Sequence, residues 1–357
     1  MPAVAWRAAG RPARAEARGY DGDITGALSL RRDRQSPAPT KVCYFSDLPC
    51  NRWTEAKLEL RALPPVRWDV ALSIPSVSFV NLKGGVGKTA LTVNLAYALA
   101  EWHDYNVLVV DVDPQFNATQ HLLDEKQIVA GFTGGTIKDI LDPPAPVIQT
   151  GKPKKAAKHN PRDALVEVTV TGGGTLHLLP SLLDLSFVNR NPQGKEGRLE
   201  QFLTKVESDF DIILLDCPPT ISILSHAAFN ASRYYMVPVT PDYFAPIGIP
   251  LLEEEVDYFL SNLHAPTGTM VPLGLAYTLV DQREHVDWRS VANRIEKNTK
   301  IKPFSTHFPA SKYWKDCAGE HKPVYKMQNA VDAKQRLEDF TKEFLARLSA
   351  EEEAEKS

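Results

Sequence analysis

The run "KGGVGKT", residues 83–89, places Lys83 and Lys88 around Gly84, Gly85, Val86 and Gly87, with Thr89 directly after. This is phosphate chemistry. Backbone N–H groups of Gly85, Val86, Gly87 and Lys88 can converge on an anion because a side chain at the glycine positions would block the approach. The Lys88 ammonium suits β and γ phosphates, and the Thr89 hydroxyl suits Mg²⁺. A helix opening at this point would aim its positive N-terminus at the same anion. The spacing G-x-x-x-x-G-K-[ST] is met except at its first glycine position, which Leu82 occupies. Lys83 therefore has no work to do in this scheme, since Lys88 already supplies the phosphate lysine.

Two further stretches supply acids. "NVLVVDVDPQFNAT" sets Asp111 and Asp113 at the end of an apolar strand, and "FDIILLDCPP" sets Asp216 after four apolar residues in a Walker B arrangement. Mg²⁺ takes one or two carboxylates and keeps several waters, so Thr89, Asp111 and Asp216 form the expected metal set. Each Asp taken alone also fits a helix cap or a turn.

These residues need elements to hold them. "SVSFVNL" and "NVLVVDVD" read as buried strands, and "KTALTVNLAYALAEW" puts Leu91, Leu95, Ala98 and Leu99 on one helical face. "TLHLLPS", "DIILLDCPP", "YYMVPVT" and "VPLGLAYTLVD" follow as strands, with helical stretches at 247–263 and 287–299. Continuous apolar strands alternating with helices predict an α/β fold, a mostly parallel twisted sheet with helices on both faces. Ligands then bind at the carboxyl ends of the strands, where this sequence collects its Gly, Asp and Pro. The last 30 residues read as one amphipathic helix, with Val331, Leu337, Phe340, Phe344, Leu345 and Leu348 available for packing.

The 357 residues suit one large α/β domain with appendages or about two domains. A Pro-containing segment, 61–76, marks a boundary. Residues 1–40 hold seven Arg and four acids and read as a disordered extension, and 41–75 have no assignable role. The main domain is placed at 76–348, with an acidic tail at 349–357. The net charge of -3 hides an uneven distribution, because residues 283–326 carry ten Lys/Arg against five Asp/Glu. "GKPKKAAKHNPR", 151–162, reads as a solvated basic loop that could also grip phosphates. Cys43, Cys50, Cys217 and Cys317 form no metal-binding spacing and read as reduced thiols. No run of 18 apolar residues occurs, so no transmembrane helix is expected.

The motifs together resemble the ParA/MinD family of deviant Walker A ATPases, closest to its ParA (Soj-like) chromosome and plasmid partition branch. The resemblance rests on "KGGVGKT", "VLVVDVDPQFNAT", "FDIILLDCPP" and "VPVTPDYFAPIGIPLL", and spans about residues 76–348. It implies a P-loop NTPase fold and a weak, Mg²⁺-dependent, partner-stimulated ATPase. ATP binding then falls on Lys83, Gly84, Gly85, Val86, Gly87, Lys88, Thr89 and Ala90. Lys83 resembles the signature lysine that crosses a nucleotide-sandwich dimer, Asp113 the acid that positions the attacking water, and Asp216 the second-shell Mg²⁺ acid. The implied partners are a second copy, nonspecific DNA and a ParB-like stimulating protein, in bacterial cytoplasm at the nucleoid. Arg289, Arg294, Lys297, Lys312 and Lys315 are the candidate DNA contacts, and a solvated helix face is the alternative. Phe116 departs from the family, which usually has Gly in "DPQGNAT".

Other functions fit the phosphate motif less fully. A MinD-like regulator acting on a protein or membrane needs a basic C-terminal helix, whereas this chain ends "EEEAEKS", so a membrane partner is not expected. A reductase of the nitrogenase iron-protein type needs two cluster-ligating cysteines per chain, and only Cys217 lies near the motifs. A ligase that activates a carboxylate remains open on these motifs alone.

Overall fold

The computed structural model describes residues 72–143, 160–262, 270–283 and 287–356. The readings made for residues 1–71, and for all but the last residues of the basic 151–162 loop, lie outside them.

Strand β1 (Ser76–Phe79) leads into the glycine-rich loop and helix α1 (Lys88–Trp102). Strand β2 (Asn106–Asp111) is followed by three short helices, α2 (Asn117–Leu122), α3 (Glu125–Ala130) and α4 (Ile137–Leu141). Next come β3 (Val166–Val168), β4 (Thr175–Leu179), α5 (Arg198–Leu203), β5 (Ile212–Asp216) and α6 (Ile223–Asn230). The remainder is β6 (Tyr234–Val239), α7 (Ala245–Asn262), β7 (Val271–Tyr277), α8 (Trp288–Lys297), α9 (Tyr313–Gly319) and α10 (Val331–Lys356).

The strands form one sheet in the order β3-β4-β2-β5-β1-β6-β7. Every pairing is parallel except β3 with β4, which is antiparallel at the edge. Apolar side chains on both faces of the central strands are covered by two separate cores, as parallel strands require. Register fixes the function end of the sheet. Phe79 pairs with Asp216, and Asp111 pairs with Asp216, so the ends of β1, β2 and β5 stand level.

Helix α1 is buried on nearly every side, because the sheet lies beneath it and α2, α9 and α10 pack around it. Helix α7 contains Pro250, which has no N–H to offer the Pro246 carbonyl. Asn298 Nδ2 donates to that carbonyl at 3.4 Å instead, tying the end of α8 to α7.

Several expectations change. Val166–Val168 is a strand that the sequence reading left in a long connection. The acidic end belongs to the helix expected there, α10, and its Glu352 and Glu355 pair with Arg233 beside β6. Leu337, Phe340, Phe344 and Leu348 are buried as expected, but Val331 is 76% exposed because it lies on the outer face of a first turn whose Ala330 and Ala333 are buried.

Candidate nucleotide site

The loop between β1 and α1 closes on its own lysine. Lys88 Nζ donates to the carbonyls of Asn81 and Lys83 at 3.1 and 3.2 Å, so the side chain folds back under the loop. Gly85 and Gly87 hold φ of 72° and 83°, a region that only glycine enters without strain. Asn81, which the sequence reading passed over, anchors the start of the turn. Its Nδ2 donates to the Pro238 carbonyl at 2.8 Å and its Oδ1 accepts from Lys83 N at 2.9 Å. Its only sequence signal is a polar side chain at the end of an apolar strand.

The carboxylates separate by role. Thr89 Oγ1 donates to Asp216 Oδ2 at 2.6 Å, while Asp216 Oδ1 is buried without a hydrogen-bond partner. Burial pushes the Asp216 carboxyl up to about 7, against the pull of Thr89 and Lys88. A buried unsatisfied oxygen beside a threonine hydroxyl fits a hydrated divalent cation, which would supply the missing partner. Asp113 lines the cleft beside the loop, and its Oδ1 accepts from Gln115 N at 2.9 Å.

Asp111 accepts hydrogen bonds from the chain that follows it. Its Oδ2 accepts from Thr119 N and Thr119 Oγ1, both at 2.8 Å, and its Oδ1 accepts from Asp113 N at 3.2 Å. The side chain is fully buried and takes no part in lining the cleft. It straps the start of α2 to the end of β2, with its pKa raised by burial and by Asp216.

The cleft holds about 900 Å³. It is lined by Gly84 to Ala90 and Asp113, and by Phe116, His121, Ile128, Leu279, Trp314 and Lys315. Burial depresses the pKa of Lys88, and Asp216, Cys217 and Asp113 oppose that depression. His121, also missed in the sequence, is buried and neutral. Burial lowers its pKa to about 4, and its Nε2 lies 3.2 Å from the Lys322 carbonyl. Lys83 is absent from the lining, and its ammonium pairs with Asp242 on the loop after β6.

A family profile described as "AAA domain" matches residues 75–265. The sporulation initiation inhibitor protein Soj of Bacillus subtilis is 31% identical over 248 residues, covering 70% of this chain and 89% of that protein. The chromosome-partitioning ATPase Soj of Treponema pallidum is 30% identical over 258 residues, covering 68% and 90%. The chain belongs to the ParA/MinD family of deviant Walker A ATPases. Among solved structures, apo McdA of Cyanothece has a TM-score of 0.61 at 19% identity, covering 76% of this chain and 99% of that one. A cobyrinic acid a,c-diamide synthase from Mycobacterium smegmatis, with bound ATP analog and magnesium, has 0.55 at 23% identity, covering 70% and 91%. The fold thus extends to a synthetase, while the Soj relatives place the chain close to partition proteins.

As a ParA-type positioning ATPase, the chain carries one unusual residue in the loop after β2. Phe116 adopts φ 45° and ψ 37°, the left-handed conformation that glycine takes easily, and caps the start of α2. The five basic residues expected to meet DNA lie on two helices, α8 and α9 with its N-cap. Arg289, Arg294 and Lys297 are exposed on α8, Lys312 opens α9, and Lys315 lines the nucleotide cleft. Cys217 is buried, with its thiol pushed up to about 12, so it is not offered as a cluster ligand.

Proposed function

We propose that this chain is an ATP-switched ATPase in which Mg²⁺-ATP closes a homodimer, the closed dimer grips DNA nonspecifically, and a ParB-like partner stimulates hydrolysis and release. The observation that carries the reading is the different placement of two lysines in one loop. Lys88 fills the phosphate position of its own cleft, and Lys83, half exposed, is held outside that cleft by Asp242. A cation kept out of its own site is available to a nucleotide on a second copy.

Within one subunit, the amides of Gly85, Val86, Gly87 and Lys88 bind the polyphosphate, with Gly84 and Ala90 completing the cradle. Thr89 and Asp216 hold Mg²⁺ and its waters, and Asp113 orients the attacking water. The metal supplies charge neutralisation, while the protein positions the reactants and does little covalent work. Solved neighbours carry AMPPNP in a Borrelia burgdorferi plasmid partition protein and ATP in a McdA variant, which supports nucleotide binding at this fold position. Positioning of a DNA cargo is the function that the Soj relatives support.

The DNA step is tested by filter binding of duplex DNA to ATP-loaded and ADP-loaded protein across a salt series. ATP-loaded protein should bind more tightly, with affinity falling as log[salt] by about 0.9 per phosphate neutralised. Arg294→Ala or Lys297→Ala should each reduce that slope by about one contact's worth. ATP-loaded protein that leaves duplex DNA unbound even at low salt would remove DNA from the account.

A further inference from the structure

The end of β7 reaches across the sheet to the phosphate loop. Thr278 Oγ1 donates to the Val86 carbonyl at 2.6 Å, from a side chain that is itself buried. A trans peptide is planar, with its C=O and N–H pointing in opposite directions. A hydrogen bond that holds the Val86 carbonyl toward Thr278 therefore turns the Gly87 N–H the other way. Both residues line the cleft, and among the described residues no acceptor takes the Gly87 N–H. We propose that Thr278 is a positioning residue of the phosphate loop, fixing the Val86–Gly87 peptide so that the Gly87 N–H meets the nucleotide's polyphosphate. The proposal rests on the ATPase reading above and assigns a role to a residue nearly 200 positions from the motif.

Thr278 has little freedom to do anything else. Its own N–H donates to the Val239 carbonyl at 2.9 Å, which locks it to β6. The next residue, Leu279, is left-handed at φ 51°. Val280 N then donates to the Phe308 carbonyl at 3.0 Å, and Ala310 N donates to the Val280 carbonyl at 2.9 Å. On the loop side the fit is close, since a Cβ built on Gly87 would stand 3.6 Å from Thr278 Cβ. The hydroxyl is thus delivered to one carbonyl by a braced backbone, in a place where a lost bond has no water to replace it.

The test compares residues that keep the donor with residues that lack it. Full-length wild type, Thr278→Ser, Thr278→Val and Thr278→Ala are titrated with ATP in the presence of Mg²⁺ by calorimetry. Ser retains the donor with less volume, Val retains the volume without the donor, and Ala retains neither. Thr and Ser should bind ATP within about threefold of each other, with Val and Ala both roughly tenfold weaker, the loss expected for one misdirected hydrogen bond. Because Val keeps the volume and Ala does not, either one that folds can be set against Ser to read the donor's effect. Ser falling with Ala while Val matches wild type would make the role one of volume and overturn the proposal. Equal affinity in all four would do the same while leaving the ATPase reading intact. Failure of wild type itself to bind ATP would overturn both.

Discussion

Lys88 is a buried ammonium, and its surroundings explain how the loop tolerates it. Two carbonyls accept its protons, Asp216 and Asp113 supply opposing charge, and an incoming phosphate would complete the set. Its type and spacing were legible in the sequence because the loop can do little else. The fate of Asp111 was not, since Thr119 reaches back to it only once α2 has formed, eight residues on. Phe116 shows a similar limit: its departure from the family was visible, but not that it keeps a glycine-like backbone at a cost of about 1–2 kcal/mol. His121 carries a pH prediction. Its folded pKa of about 4 lies below the unfolded value near 6.5, so the unfolded chain takes the proton first. The resulting stability is complete above about pH 6.5 and is lost as pH falls toward 4, by about 3 kcal/mol in all. Urea unfolding of wild type and His121→Gln across that range should show the loss in wild type and not in the variant, so that the difference between them shrinks as pH falls.

At the scale of elements, aromatic packing joins α10 to the site. Phe340 lies 4.7 Å from Phe304 and 5.2 Å from Phe308, whose ring in turn meets Trp314 of α9 at 5.1 Å. Trp314 then lines the nucleotide cleft. Phe340→Ala should therefore cost about 3–5 kcal/mol in denaturant unfolding, because it opens a cavity in a core with no route to collapse. The same variant should weaken ATP binding by loosening α9, whereas substitution at exposed Val331 should change neither quantity. The helical period identified the buried face of α10 well, but Val331 falls on its outer face, while the small Ala330 and Ala333 fill the buried side of the first turn. Strand β3 escaped for another reason: three residues of Val-Glu-Val are too few for an alternating pattern, and only pairing with β4 defines them.

Across the whole molecule, the sheet's parallel core followed from apolar strands ending in Gly, Asp and Pro, and register brought those ends level as a parallel sheet must. The rest of the cleft lining did not follow, because Leu279, just after β7, and Trp314 and Lys315, on α9, lie nearly 200 residues and more beyond the loop. The central claim is that one loop serves two nucleotides, and paired lysine variants test it most directly. Nucleotide affinity, ATP-dependent dimer mass by light scattering and DNA-stimulated or partner-stimulated turnover should be measured for Lys83→Ala and Lys88→Ala. Lys88→Ala should lose ATP binding itself, while Lys83→Ala should bind ATP within a few-fold of wild type and yet lose the closed dimer's function and stimulated turnover. Equal loss of ATP binding in the two variants would contradict a separate role for Lys83.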